Sequence, residues 1–271
     1  MELHSTAFHP IAAAAGQDVS HTCWYHFSVD DVFDSLIEIT DRKIPLLEHP
    51  QFALLYEMHK KYGTYIGLNL FFQKKIDGKM RTLSEVRDLQ QELHASGDWL
   101  KFGPHALEFE TAPYDQEPEA QVEVFDRIYT EIDRFAGKES YAQWVRLHYY
   151  SESYELAEYF NLRGVQALFS TDRPAGSHRM PEEIKIELNT RGHATYKDMN
   201  FIRTQFRIEF FVDSHLDEKG VEELIKSSLD TYGYIILYTH EYEFSRPEIC
   251  EMLKLVLSVL SKLEVKSLKK I

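Results

Sequence analysis

The chain has 271 residues, 44% of them hydrophobic and 27% charged, with a formal net charge of -14. That length and apolar content suffice for one large domain over residues 1–271. The acidic balance argues against nucleic acid and anionic membranes as partners. Two isolated cysteines, Cys23 and Cys250, exclude a disulfide framework and a thiolate zinc site.

Residues 1–20 show no clear period and read as a leader. The patch Ala12 to Ala15 lacks the basic flank and long apolar core of a signal peptide. No run is long enough to span a membrane, so a cytoplasmic protein is expected. The first strand runs from His21 to Ser28. Phe33, Leu36, Ile37 and Ile39 suggest a short helical turn. Helical spacing returns at Phe52, Leu55, Tyr56 and His59, between Pro50 and Gly63. The continuous apolar run Thr64 to Phe72 has the pattern of a buried parallel strand.

Thr82 and Glu85 stand at capping-box spacing and open a helix to about Ala95. Trp99 to Phe102 is a third strand, followed by Gly103-Pro104-His105. A long helix covers Glu117 to Phe135, and a fourth strand Trp144 to Tyr149. Ser151 or Ser153 caps the next helix, which closes at Gly164, and Val165 to Phe169 is a fifth strand. The rhythm breaks from about 172 to 200, read as an insertion carrying a small hairpin around Ile184 to Leu188. Phe201 to Phe211 resumes as a strand, Leu216 to Leu229 is a helix, Gly233 to Thr239 the last strand and Pro247 to Leu263 the closing helix. This alternation predicts an α/β chain folded as a deformed TIM-like (β/α)7-8 barrel. Neither a dinucleotide fingerprint nor a phosphate-binding loop is present.

In such a barrel, functional side chains gather at the C-terminal ends of strands. The first strand ends in Asp30 and Asp31, where strand alternation relaxes and both carboxylates can reach one pocket. Two adjacent carboxylates call for a cation or a shared proton. The alternative is that Asp30 caps a helix beginning near Val32, with Asp31 solvated. Further strand ends offer His105 with Glu108 and Glu110, then Arg146, His148 and Tyr149. Later ones offer Arg207, Glu209, Asp213 and His215, and finally His240 and Glu241. Arg146 lies in an apolar strand and needs a buried carboxylate, for which Asp30 is the natural partner. His178 and His215 read as surface residues.

Phe27-Ser28-Val29-Asp30-Asp31 resembles the first motif of the polysaccharide deacetylase family of carbohydrate esterases. Arg146-Leu147-His148-Tyr149 is similar to its arginine motif without the usual proline. Leu237-Tyr238-Thr239-His240 is similar to its final leucine-x-histidine with one residue more. The resemblance runs over residues 21 to 244. It implies one divalent metal, usually zinc, and a carbohydrate substrate carrying an N- or O-acetyl group. It further implies Asp30 as general base steadied by Arg146, His240 as general acid, and Asp31 and His105 as metal ligands. The family's second histidine, four residues after the first, is replaced here by Phe109, so Glu108 or Glu110 is expected as third ligand. Tyr149 and His148 are expected to contact substrate, with Trp24, Tyr25 and Tyr150 as further candidates for a sugar platform; a place in the core is the equal alternative for the tyrosines, Trp24 and His148. The alternatives are a non-catalytic carbohydrate-binding relative and a metal-dependent hydrolase of another bond.

Overall fold

The computed structural model describes residues 23–151, 154–171 and 180–268. The leader at 1–20, the candidate cap Ser153 and His178 lie outside the described residues. In chain order the first half comprises β1 (Trp24–Val32), α1 (Asp34–Arg42), α2 (Pro50–Tyr62), β2 (Ile66–Phe71), β3 (Gln73–Ile76), β4 (Lys79–Thr82), α3 (Gln90–Ser96), β5 (Leu100–Ala106) and α4 (Pro118–Phe135). Then follow β6 (Trp144–Val145), α5 (Ala157–Asn161), β7 (Ala167–Ser170), α6 (Glu182–Arg191), β8 (His193–Tyr196), β9 (Met199–Arg203) and β10 (Phe206–Arg207). The chain closes with α7 (Ile208–Asp213), α8 (Glu218–Tyr232), β11 (Tyr234–His240), α9 (Pro247–Lys262) and β12 (Lys266–Ser267).

One sheet has the order β10-β11-β1-β2-β5, its neighbours all parallel, with β12 beside the start of β1. A second sheet has the order β6-β7-β9-β8, with β8 and β9 antiparallel. The two sheets meet at a single bridge between Phe102 and Tyr141. On the other side the chain itself passes from β9 to β10 through Thr204 and Gln205. Their amides donate to the carbonyls of Ser170 and Ile236, one in each sheet. The expected barrel therefore does not close as one continuous sheet among the described residues. Strands β6 and β10 are each two residues long, too short to carry a ladder across either seam.

Alternation along β1 divides its side chains between two cores. Tyr25, Phe27 and Val29 join the large core made with the helices, including Leu55 of α2, Ile128 of α4 and Leu253 of α9. Trp24 and His26 face the other way, against Trp144, Phe169 and Tyr234. Trp24 and Tyr25 are thus packing residues, contrary to the sugar-platform expectation. Trp24 stacks on Tyr234, and the buried Tyr25 hydroxyl bonds to Thr64.

Three local expectations are corrected. The stretch 184–188 is helical, not a hairpin strand. Ile184 and Leu188, one helical turn apart, are buried, while Ile186 is exposed. The hairpin of this insertion is β8–β9. The expected strand 201–211 is split into β9, β10 and α7, with Ile208 and Phe211 buried on one face of the helix. The capping box of Thr82 and Glu85 forms, but it closes one short turn before α3. A hairpin at β3–β4 turns on Asp77-Gly78, both with positive φ, an Asp-Gly signal that alternation alone passes over.

The strand that ends in His240 is tied to the element after β1 by Glu241. Its carboxylate accepts from the amides of Phe33, Asp34 and Ser35 and from the Ser35 hydroxyl. These are first-turn donors of α1, which have no partner within the helix. Replacing Glu241 by Ala leaves them unpaired in a buried place. Urea denaturation should show a loss of about 2–4 kcal/mol.

Candidate functional site

The site is built on a bulge. Register between β1 and β2 shifts between Val29 and Val32, and Asp31 takes a left-handed backbone, φ +60. One extra residue at this point breaks the in–out alternation. Asp30 and Asp31, which a regular strand would send to opposite faces, both point into the same buried region, at 2% and 7% exposure.

Asp30 is held by an array of donors. Arg146 Nε lies 3.0 Å from Asp30 Oδ2, and Asn69 Nδ2 donates to Oδ1 at 2.7 Å. The guanidinium is itself buried, bonded to the Thr204 hydroxyl and placed over the rings of Tyr238 and Phe169 at 4.3 and 5.1 Å. Aromatic faces supply part of what a cation loses on leaving water. The expected pairing of Arg146 with Asp30 is present. Tyr150, expected at a sugar platform, bonds through its hydroxyl to Tyr238 and lies 5.8 Å from the guanidinium.

Asp31 meets two imidazoles. His105 Nε2 lies 3.1 Å and His148 Nδ1 3.4 Å from Asp31 Oδ1, and the two nitrogens are 3.1 Å apart. The far sides of both rings are committed to main-chain carbonyls. His105 Nδ1 donates to Arg146 O at 2.7 Å, and His148 Nε2 donates to Phe109 O at 2.9 Å. These bonds place the ring protons away from the cluster. When both rings are neutral, their remaining nitrogens turn lone pairs toward each other and toward the carboxylate oxygen. Asp31 Oδ1 accordingly has no hydrogen-bond partner although it is buried. Three convergent acceptors are the arrangement that a divalent cation satisfies. One carboxylate oxygen and two imidazole nitrogens suit zinc or a similar first-row ion with positions left open. Among the described residues, this trio is the group of metal-capable side chains that come together.

The structure therefore puts His148, not Glu108, beside Asp31 and His105. Glu108 accepts instead from Gln73 Nε2 at 2.9 Å. Glu110 lines a groove of about 390 Å³ next to Asp31, together with Phe71, Lys75, Phe109 and Tyr242. Tyr149 and Phe109 stand at its approach, 44% and 49% exposed, with Tyr149 packed on His148.

His240 is paired in register with Asp30 on the neighbouring strand. Its Nδ1 donates to Glu209 Oε1 at 2.8 Å, which leaves Nε2 as the ring nitrogen without this tie. Burial alone would lower its pKa, but the Glu209 contact and the charges of Asp30 and Asp31 outweigh it and hold it raised. His26 is the contrast on β1. Burial, then the charge of Arg146, push it down to about 3, so it stays neutral and packs between Trp144 and Phe169.

Two members of the site were not singled out in the sequence, Asn69 and Thr204. Asn69 had a signal, as the one amide in the apolar run of β2. Thr204 had none, since it lies in the short link between β9 and β10.

No family model and no curated protein matches the chain. Solved structures do. An assigned polysaccharide deacetylase from Mycobacterium smegmatis aligns with a TM-score of 0.55 and 11% identity, over 94% of this chain and 89% of that one. A 4-alpha-glucanotransferase from Thermococcus litoralis aligns with a TM-score of 0.51 and 11% identity, over 92% of this chain; the alignment spans 40% of that longer protein. Polysaccharide deacetylase Bc1974 from Bacillus cereus aligns with a TM-score of 0.46 and 11% identity, over 92% and 91% of the two chains. The chain thus has the fold of the polysaccharide deacetylases, on a sequence far diverged from theirs.

Proposed function

We propose that the protein is a metal-dependent deacetylase that hydrolyses an N- or O-acetyl group on a carbohydrate. The observation that carries this reading is the set of three convergent acceptors, Asp31, His105 and His148, placed beside an arginine-held Asp30 and a glutamate-held His240. A divalent cation bound by the trio would supply Lewis acidity toward the acyl oxygen and the attacking water. Asp30, aimed by Arg146 and Asn69, takes the proton from that water as it attacks the acyl carbon. His240 gives the proton at Nε2 to the leaving amine or alkoxide, so acetate and the free sugar group are the products. Glu209 keeps that imidazole oriented and its proton available near neutral pH. The groove beside Asp31, with Phe71, Phe109 and Tyr242 at its walls, offers apolar ring faces to a pyranose. The absence of a histidine at Phe109 is what motivates the alternative of a non-catalytic relative. His148 supplies an imidazole in its place and removes that motive.

Metal titration of chelator-treated protein tests the trio. One equivalent of zinc or cobalt should bind. Asp31→Asn, His105→Ala and His148→Ala should each weaken it by about 100-fold or more, and Glu108→Gln by no more than about threefold. Failure of the wild type to bind a divalent ion would overturn the assignment.

Acetate release from acetylated mono- and oligosaccharides, run beside phosphate esters, tests the chemistry. Asp30→Asn and His240→Ala should lower kcat by about 10²- to 10⁴-fold with metal still bound. Full turnover by Asp30→Asn would sink the reading.

The Glu209 carboxylate raises the pKa of His240, so Glu209→Gln should let it fall. The alkaline limb of kcat/KM then moves to lower pH, because the protonated acid is lost earlier. Imidazole NMR of the metal-free protein should show the same downward direction.

A further inference from the structure

We propose that Asn69 is a positioning residue that sets the base against the metal ligands, an inference that rests on the deacetylase reading above. Its carboxamide is 1% exposed and both ends are used. Nδ2 donates to Asp30 Oδ1 at 2.7 Å, and Oδ1 accepts from the main-chain amide of Arg146 at 3.3 Å. The carbonyl of the same residue, Arg146, accepts from His105 Nδ1. One line of hydrogen bonds therefore runs from Asp30, through the Asn69 amide and the Arg146 backbone, to the His105 ring whose other nitrogen faces Asp31.

This line crosses the weak seam of the fold. Asp30, Asn69 and His105 belong to the sheet of β1, β2 and β5, while Arg146 follows β6 of the other sheet. There the ladder is reduced to the Phe102–Tyr141 bridge. Gly103 makes the close approach possible. A Cβ at that position would lie 3.0 Å from Val145 Cγ2, 3.3 Å from Ala142 Cβ and 3.6 Å from Asn69 Oδ1. With hydrogen there, β6 lies close against β5 and the Arg146 amide comes within reach of Asn69. Without the Asn69 bridge, the guanidinium still neutralises Asp30 at Oδ2, but Oδ1 keeps only the long 3.4 Å bond from Ser28, which leaves the carboxylate plane loosely held relative to His105 and His148. Reacting groups displaced by about 1 Å cost about 100-fold in rate.

The test uses Asn69→Leu, which keeps the volume and removes both bonds, and Asn69→Asp, which keeps an acceptor for Arg146 but not the donor to Asp30. Both should lower kcat by about 10- to 100-fold with KM within about twofold. In an Asp30→Asn background, Asn69→Leu should cost almost nothing further, since it acts through Asp30. Cobalt affinity should fall several-fold in Asn69→Leu and stay near wild type in Asn69→Asp. Should Asn69→Leu fail to fold, the kcat of Asn69→Asp decides. A kcat within about twofold of wild type, or an equal loss in both backgrounds, would overturn the inference. If the wild type releases no acetate from any sugar, the deacetylase reading fails. The cobalt result then decides alone: reduced affinity in Asn69→Leu supports the bridge, and unchanged affinity refutes it.

Discussion

Two imidazole nitrogens and a carboxylate oxygen, gathered within about 3.1–3.4 Å of one another in a buried place, are the constraint on which this site turns. Such a meeting is unfavourable alone, because each group has given up water and gained nothing in return. It persists because every member is fixed from behind. The carbonyls of Arg146 and Phe109 hold the two rings, and the bulge of β1 holds Asp31. The fold spends main-chain hydrogen bonds outside the cluster to keep three acceptors aimed at one point, which is what preorganisation for a cation means in physical terms.

Asp30 is governed by the opposite rule. It is paired with the Arg146 guanidinium and accepts hydrogen bonds from Asn69 and, more distantly at 3.4 Å, Ser28. Two neighbours in sequence thus sit in environments of opposite polarity, one short of hydrogens and one rich in them. Environments that push adjacent carboxylates apart let one residue type take two different roles, as the reading proposed above requires of Asp30 and Asp31. The left-handed turn at Asp31 is the local cost of placing them so.

Much of this was legible in the chain. The aromatic run ending at Asp30-Asp31, the arginine inside an apolar strand and the histidine at the end of the last strand all declare themselves by being polar where neighbours are not. The second imidazole of the cluster, His148, was seen but given another role. Sequence spacing after His105 pointed to Glu108 or Glu110, whereas His148 arrives from a segment 43 residues away in sequence. Only tertiary packing brings it in. The seams were hidden for a related reason. A strand of two residues leaves almost no periodic trace, so alternation suggested a continuous barrel where the ladder in fact breaks. At Ile184, Ile186 and Leu188, an every-second and an every-fourth pattern overlap, and a short window could not separate them.

The place of His148 beside Asp31 and His105 has a consequence for position 109. That residue still anchors the centre, since its carbonyl fixes the His148 ring, but any amino acid except proline's constrained backbone offers the same oxygen in the same way. Its side chain takes no part in the Asp31–His105–His148 cluster and turns outward at the rim of the groove, beside Tyr149. The structure has separated what residue 109 does for the centre from what it displays to the outside. Its side chain is therefore a place where selectivity can drift over evolutionary time while the buried cluster stays intact.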